Sequence, residues 1–326
     1  MREEFCRMNY SRLNKKIAGL TIAAMMSTAA AFAAEPTPGI QILKYDRPEA
    51  VSEMPENFRT AQSPYLADRV AKASYTPSRE GLDNLRQSGS SFFSKNEFKE
   101  LLKHVPAKDL VVIDLRNESH GYINNTGISW YSKYKTFNKG QGVKEIDRRE
   151  KGMLETALMN KQVPIAKLDK TKSIASQTDV DVKSVETEEQ FVKSMGVKYY
   201  RVPVMDYSAP TPQNVDDFLA IYKKLPKNAW VHVHCEAGVG RTTIFLSLMD
   251  MIKNADKVSY DDIMTREVLL GGQDVRKSAE TTKDAYKKAN YPKRALFTRH
   301  FYEYVKANPQ LKKTYTQWTK ENGYEF

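Results

Sequence analysis

Cys235-Glu236-Ala237-Gly238-Val239-Gly240-Arg241-Thr242 puts a thiol, a guanidinium and a hydroxyl around two glycines within eight residues. An apolar, strand-like run, Trp230 to His234, precedes it, and an amphipathic stretch, Arg241 to Lys253, follows. A loop that enters a helix from a buried strand points unpaired backbone N–H groups inward, with the positive end of the helix dipole behind them. Gly238 and Gly240 open backbone angles closed to other residues, so this loop can wrap a tetrahedral anion. Glu236, Ala237 and Val239 complete its wall, and Arg241 offers a planar fork for two anion oxygens. The same field stabilises a thiolate at Cys235, and Thr242 can donate its hydroxyl to it.

A thiolate that displaces an alkoxide from phosphorus needs an acid to protonate the departing oxygen. Asp206 stands 29 residues before Cys235, just after a strand ending at Val204 and ahead of Tyr207-Ser208-Ala209-Pro210. The carboxyl end of a strand is where open α/β sheets collect reacting groups. Chemistry of this kind needs no metal. His104, His120, His232, His234 and His300 are scattered along the chain, and His232 and His234, alternating on one strand, are expected to orient the loop.

The elements that must hold this loop alternate between strand and helix. Leu110-Val111-Val112-Ile113 is an uninterrupted apolar run ending at Asp114, as in a buried parallel strand. Ser94-x-x-Glu97 and Thr187-x-x-Gln190 are capping boxes that open helices, and Gly196 ends the second. Val197 to Val204 reads as a strand, and Thr211-Pro212 starts a helix. Helices are also expected over Arg148 to Asn160, Ser259 to Leu270 and Arg294 to Lys306. Residues 161–186 alternate short β-like pieces with polar residues. The pattern predicts an α/β fold with a mostly parallel sheet flanked by helices and a small β-rich insertion. Residues 34–90 look like an extended lead-in. The organisation expected is a leader over 1–33, the first part of the main domain over 34–130, the insertion over 131–196, and the remainder with the loop over 197–326.

The leader is read from five basic residues (Arg2, Arg7, Arg12, Lys15, Lys16), the uncharged run Ile17 to Phe32, and Ala31-Phe32-Ala33 as a cleavage site. That pattern predicts export, periplasmic or secreted, with no stable membrane association after cleavage. Of the two cysteines in 326 residues, Cys6 would leave with the leader, so Cys235 could not form an internal disulfide. The whole chain carries +11; without the leader, 46 basic residues face 38 acidic ones, or +8. Such a surface favours anionic partners. Basic residues crowd between Arg276 and Arg299, where they could steer a highly charged ligand. They are not interleaved with stacking aromatics, so nucleic acid is not expected.

His234-Cys-Glu-Ala-Gly-Val-Gly-Arg-Thr-Thr243 resembles the active-site loop of the protein-tyrosine-phosphatase-like inositol polyphosphatases, the cysteine phytases of bacteria. Asp114-Leu-Arg-Asn-Glu-Ser-His-Gly121, Ile128-Ser-Trp-Tyr131, Asn57-Phe-Arg-Thr60 and Leu270-Gly-Gly272 are similar to further segments of that family. The resemblance implies a cysteine-phosphatase fold with an inserted partial β-barrel, no cofactor, and a small polyphosphate such as phytate as substrate. It implies Cys235 as nucleophile, Arg241 as phosphate clamp and Asp206 as general acid. It also implies that Arg59, Asp114 and Lys161 line the pocket beyond the scissile phosphate. Tyr207 stands where relatives often carry His beside the acid, and Asn160 where some carry His before the lysine. A secreted protein tyrosine phosphatase, or a non-catalytic module that binds inositol phosphates, are the rival expectations. Oligomeric state and the order of phosphate removal stay open at this level.

Overall fold

Leu110–Arg116 buries seven consecutive side chains, which only a strand covered on both faces can do. In the computed structural model, which describes residues 41–49, 53–105 and 107–324, this strand is the centre of the main sheet. The expected leader lies outside the described residues. In chain order the strands and main helices are β1 (Ile42–Arg47), β2 (Arg59–Thr60), β3 (Gln87–Ser91), α1 (Lys95–His104), β4 (Leu110–Arg116), β5 (His120–Ile123), β6 (Thr126–Tyr131), α2 (Val143–Asn160), β7 (Gln162–Leu168), β8 (Ile174–Asp181), β9 (Val185–Glu186), α3 (Glu188–Ser194), β10 (Lys198–Val204), α4 (Pro212–Tyr222), β11 (Trp230–Cys235), α5 (Gly240–Asn254), α6 (Tyr260–Leu269), α7 (Ala285–Ala307) and α8 (Tyr315–Glu321).

The main sheet runs β10-β4-β11-β3-β2, parallel except for β2. Alternate residues of β4 serve two cores. Val111, Ile113 and Leu115 pack with residues of α4, α5 and α7, while Leu110 and Val112 pack with Phe98 of α1 and Phe191 of α3. The expected capping boxes at Ser94 and Thr187 both close. Helix α7 begins well before the expected Arg294, because the Asp284 side chain caps it by accepting from the Lys287 amide, and it continues through Pro292.

Three strands, β1, β2 and β3, come from the stretch expected to be an extended lead-in. β3, Gln-Ser-Gly-Ser-Ser, is buried throughout yet has no apolar side chain to reveal it. Its serines are satisfied by β11: His232 bonds the Ser88 hydroxyl through Nδ1 (2.9 Å) and the Ser90 hydroxyl through Nε2 (3.1 Å). Burial lowers the His232 pKa to about 3, so this ring stays neutral. Gly89 is needed because a Cβ there would lie 2.5 Å from the Thr242 methyl on α5.

The second sheet runs β8-β7-β1-β6-β5-β9 and is largely antiparallel, with α2 packed on it through Leu154 and Ala157. It is the small β-rich layer expected, but its strands are not confined to 131–196. β1, β5 and β6 lie earlier in the chain, and β1 joins only because β6 and β7 come to flank it, which local sequence cannot announce.

Candidate active site

Cys235 is the last residue of β11, and α5 starts five residues later, so the intervening loop sits at the carboxyl edge of the main sheet. The loop is held from outside by its carbonyls. Glu236 O accepts from the Phe92 amide (3.1 Å), Ala237 O from the Asn57 side-chain amide (2.9 Å) and Gly238 O from Arg59 Nη1 (2.8 Å). A trans peptide directs its N–H opposite to its C=O. The amides of Ala237, Gly238 and Val239 therefore face inward. Gly238, at φ +70°, is irreplaceable there: an added Cβ would lie 2.3 Å from the backbone of Ser90 and Ser91.

The thiol lies within this cradle. Thr242 Oγ1 donates to Cys235 Sγ over 3.3 Å. Burial pushes the thiol pKa up, but Arg241 and the hydroxyl and amide of Thr242 outweigh it, and the net shift is downward. Arg241 is gripped at its terminal nitrogens by Glu118, Nη1 to Oε2 over 2.8 Å and Nη2 to Oε1 over 2.9 Å. Its buried Nε has no hydrogen-bond acceptor and faces Asp206 Oδ1 at 3.4 Å, leaving that edge of the fork for an anion.

Lys135, Lys172, Asp206, Tyr207, Gln273, Tyr291 and Arg294 line the same cleft as the loop residues Cys235, Glu236, Ala237, Val239, Gly240 and Arg241. Arg294 is 3% exposed and has no carboxylate within ion-pair distance among the described residues; its Nη2 donates to Gln273 Oε1 (3.2 Å). Gly240 makes room for it, since a Cβ would come within 2.8 Å of Arg294 Nη2. Burial lowers the Arg294 pKa, the cost of a buried cation without a counter-ion. Lys172 arrives from the turn between β7 and β8, where the Asp169 carboxylate accepts from the Thr171 and Ser173 amides.

Eight side chains alternate in charge around one side of this cleft and close on themselves. Arg241 pairs with Glu118; Glu118 with Arg116 (3.1 Å); Arg116 with Asp46 (2.9 Å); Asp46 with Lys44; Lys44 with Glu236 (2.9 Å); Glu236 with Lys135; Lys135 with Asp206 (2.5 Å); and Asp206 returns to Arg241. None of these side chains is more than 18% exposed. Burial works to raise Glu118, yet Arg241, Lys135 and Arg116 hold its carboxyl well below the usual range. Sequence reasoning missed Lys135 and Glu118, since only folding brings Lys44 and Asp46 of β1 and Lys135 of the β6–α2 connection against Arg116, Glu118, Glu236 and Asp206. Arg294 was signalled only as one of many basic residues after Arg276.

Three residues expected in the pocket lie elsewhere. Arg59 is 2% exposed and underpins the loop from outside, bonding Gly238 O and, through Nη2, Thr243 Oγ1 (2.9 Å). Asp114 is fully buried behind the sheet edge. It accepts from Tyr199 OH (3.0 Å) and the Arg116 amide (2.8 Å), and pairs with Arg201 Nε (3.2 Å). Lys161 caps α2 at the far end of β7 from the turn carrying Lys172, about 23 Å away at 3.3 Å per residue. The histidines that looked scattered are partly gathered: Glu188 bridges His120 Nε2 and His234 Nε2, both at 2.7 Å, directly behind Cys235. With Asp114, His120 and Glu188 also form a cluster of metal-ligating types, buried and hydrogen-bonded within itself.

Since Arg59 holds the cradle, Arg59→Met should slow turnover of a small aryl phosphate and of an inositol polyphosphate alike, by the order of 10² expected when a reacting group is misplaced by about 1 Å. Steady-state kinetics on both substrates checks this. A raised KM for the polyphosphate alone would return Arg59 to the pocket wall.

A family model described as PTP-like phytase, inositol hexakisphosphate, matches residues 113–253. The structure superposes with a TM-score of 0.83 on a PTP-like myo-inositol phosphatase from Mitsuokella multacida solved with myo-inositol-(1,3,4,5)-tetrakisphosphate. The two are 38% identical over 91% of this chain and 50% of that one. A PTP-like phytase from Bdellovibrio bacteriovorus is 33% identical, with a TM-score of 0.67, over 89% of this chain and 97% of that one. The effector protein hopD2 of Pseudomonas syringae pv. tomato is 29% identical over 73% of this chain. The chain thus spans about half the length of the Mitsuokella protein and 52% of the effector. The loop, β10 and β11 lie inside the matched region, the fold is shared, and the Bdellovibrio relative is covered almost end to end: the chain belongs to the PTP-like phytase family.

Proposed function

We propose that this protein is an exported cysteine-dependent phosphatase that hydrolyses myo-inositol polyphosphates through a phosphocysteine intermediate. The observation that carries the reading is one cleft in which Arg241 stands between a stabilised thiol and a carboxylate, with Arg294 beside it and no carboxylate paired to that cation among the described residues. In the first step Cys235 Sγ attacks phosphorus, the ester P–O bond breaks, and Asp206 gives its proton to the departing oxygen. In the second, water attacks phosphorus, the S–P bond breaks, and the Asp206 carboxylate takes the water's proton. Thiolate and acid are then restored, with inorganic phosphate released. The inward amides and the Nε edge of Arg241 hold the phosphoryl oxygens throughout. Lys172 and Arg294 supply cations beyond the scissile group, which a polyphosphate can use and a monophosphate cannot.

The likeness to an effector protein favours a second reading, a secreted protein tyrosine phosphatase, with Tyr207 and Tyr291 lining the cleft for an aromatic ring. The proposed export also draws on that likeness and on the basic, then apolar, first 33 residues. A module that only binds inositol phosphates would have no use for the Thr242 hydroxyl on the thiol.

Phosphate release from inositol hexakisphosphate and from a phosphotyrosine peptide separates these readings. The inositol substrate should be turned over with the higher kcat/KM, and Cys235→Ser should abolish turnover of both while still binding substrate, because a serine hydroxyl does not ionise in this field. A preference for the peptide would favour the tyrosine phosphatase, and binding without turnover by the wild type would favour the module.

Asp206→Asn should cost about 10² to 10⁴ in rate on an alkyl phosphate, the usual worth of a general acid. The loss should shrink on an aryl phosphate whose leaving group needs little protonation. A series of leaving groups measures this, and an equal loss across the series would give Asp206 another task.

If Lys172 meets a non-scissile phosphate, Lys172→Met should raise KM for inositol hexakisphosphate and reduce its salt dependence, with little change on a small aryl phosphate. Salt acts here because screening shortens electrostatic reach to about 10 Å at 0.1 M. Parallel changes on both substrates in a salt titration would remove Lys172 from recognition.

A further inference from the structure

We propose that Lys135 is a positioning residue that couples the arrival of an anion in the loop to the protonation of Asp206. The inference rests on the reading of Asp206 as general acid and concerns how that acid gains its proton.

In the free protein the charge ring contains four cations and four anions and is electrically complete. Lys135 Nζ is its crossing point: it holds Asp206 Oδ2 at 2.5 Å, Glu236 Oε2 within ion-pair contact and Glu118 Oε1 at 3.5 Å. The lysine is 7% exposed and fixed on a backbone with φ +56°, the left-handed region, directly after Tyr134 at φ +57°. Two successive non-glycine residues in that region cost free energy, which the surroundings must offset. Here the offset is the ammonium group's set of carboxylates.

This arrangement poses a chemical problem. An acid catalyst must carry a proton, yet Asp206 in the free protein is an ion. Burial works to raise its pKa, but Arg241 and Lys135 outweigh burial and hold it below the ordinary carboxylate value; Glu118 opposes them, Glu236 meets the same Lys135, Tyr207 donates its backbone amide to Oδ1 over 3.0 Å, and Cys235, Arg294 and Tyr291 feel its charge across the cleft. A dianion seated on the inward amides changes the balance. The Nε edge of Arg241 and the ammonium of Lys135 both face the cleft, so both turn part of their field to the new charge. The ring then holds more negative charge than its cations neutralise. The group that relieves this at least cost is Asp206, because Glu118 keeps a bidentate grip on Arg241 and Glu236 keeps Lys44. The proton comes from solvent at the cleft mouth. A substrate would thus create its own general acid.

Binding of sulfate, a dianion that carries no proton of its own near neutrality, tests this without turnover. Calorimetry at about pH 6, where an ordinary aspartate is ionised, in buffers of different ionisation enthalpy counts the protons taken up. The wild type should take up close to one proton per sulfate, and Asp206→Asn close to none. Lys135→Met should take up markedly less, because its Asp206 is protonated before the anion arrives. Its kcat/KM should persist to a pH at least one unit higher than in the wild type, with Lys135→Arg restoring both properties. Lys135→Gln gives the same comparison if the methionine variant does not fold, and wild-type proton uptake needs no variant. No uptake in the wild type, uptake that survives Asp206→Asn, or superimposable uptake and pH profiles in wild type and Lys135→Met would each overturn the proposal. Failure of Asp206 as acid would show separately, in a rate loss indifferent to the leaving group.

Discussion

Everything at the cleft depends on keeping eight ionised side chains out of water at once. A buried ion pair is a poor source of stability, because desolvation of both partners offsets most of their attraction. A closed alternating circuit is a different case, since each charge has an opposite neighbour on either side and none is left unmatched. Removing any one member leaves a buried charge without its partner, which is costly. The circuit therefore fixes geometry more than it adds stability. It locks the guanidinium of Arg241 in one orientation, holds Glu236 between Lys44 and Lys135, and ties the loop carrying Asp206 to both.

The circuit also explains why two sheets are needed. Arg241, Glu236, Asp206, Arg116 and Glu118 come from the main sheet or the segments just after its strands, while Lys44 and Asp46 come from β1 of the second sheet and Lys135 from the connection after β6. Neither layer holds a balanced set of charges alone. The second sheet thereby completes the site twice, through the ring and through Lys172 at the tip of its outer hairpin.

Behind the thiol a second polar layer does related work. Glu188, the first residue of α3, meets His234 of β11 and His120 of β5, all three buried, while Asp114 also approaches His120 and the other ring nitrogen of His120 meets Glu118 O at 2.9 Å. Glu188 is held ionised against the burial that would raise it, by His234 and His120, and His234 is raised in turn by Glu188. His234, the residue before Cys235, is therefore anchored by Glu188.

The loop from Cys235 to Thr242 was legible in the sequence because its chemistry is local. Strand, two glycines, guanidinium and helix start lie within a few residues, and the backbone alone converts that order into inward amides. Asp206 was legible for a similar reason, as a carboxylate at the end of an apolar strand. The capping boxes and the buried run of β4 likewise follow from short-range hydrogen bonding and periodicity. What the sequence could not decide was which distant charges would meet. Arg59 and Asp114 stood in suggestive motifs, yet a cation's role depends on which side of the loop it reaches, and Arg59 reaches the outer one. Lys161 and Lys172 are equally basic, and only the β7–β8 hairpin decides which end faces the cleft. β3 went unseen because its buried serines are satisfied by histidine hydrogen bonds rather than by apolar packing, and β1 because its place depends on β6 and β7 coming to flank it. Local order set the thiol of Cys235 and its cradle; the tertiary fold alone chose the counter-ions, because electrostatic partnership acts across space and leaves no period along the chain.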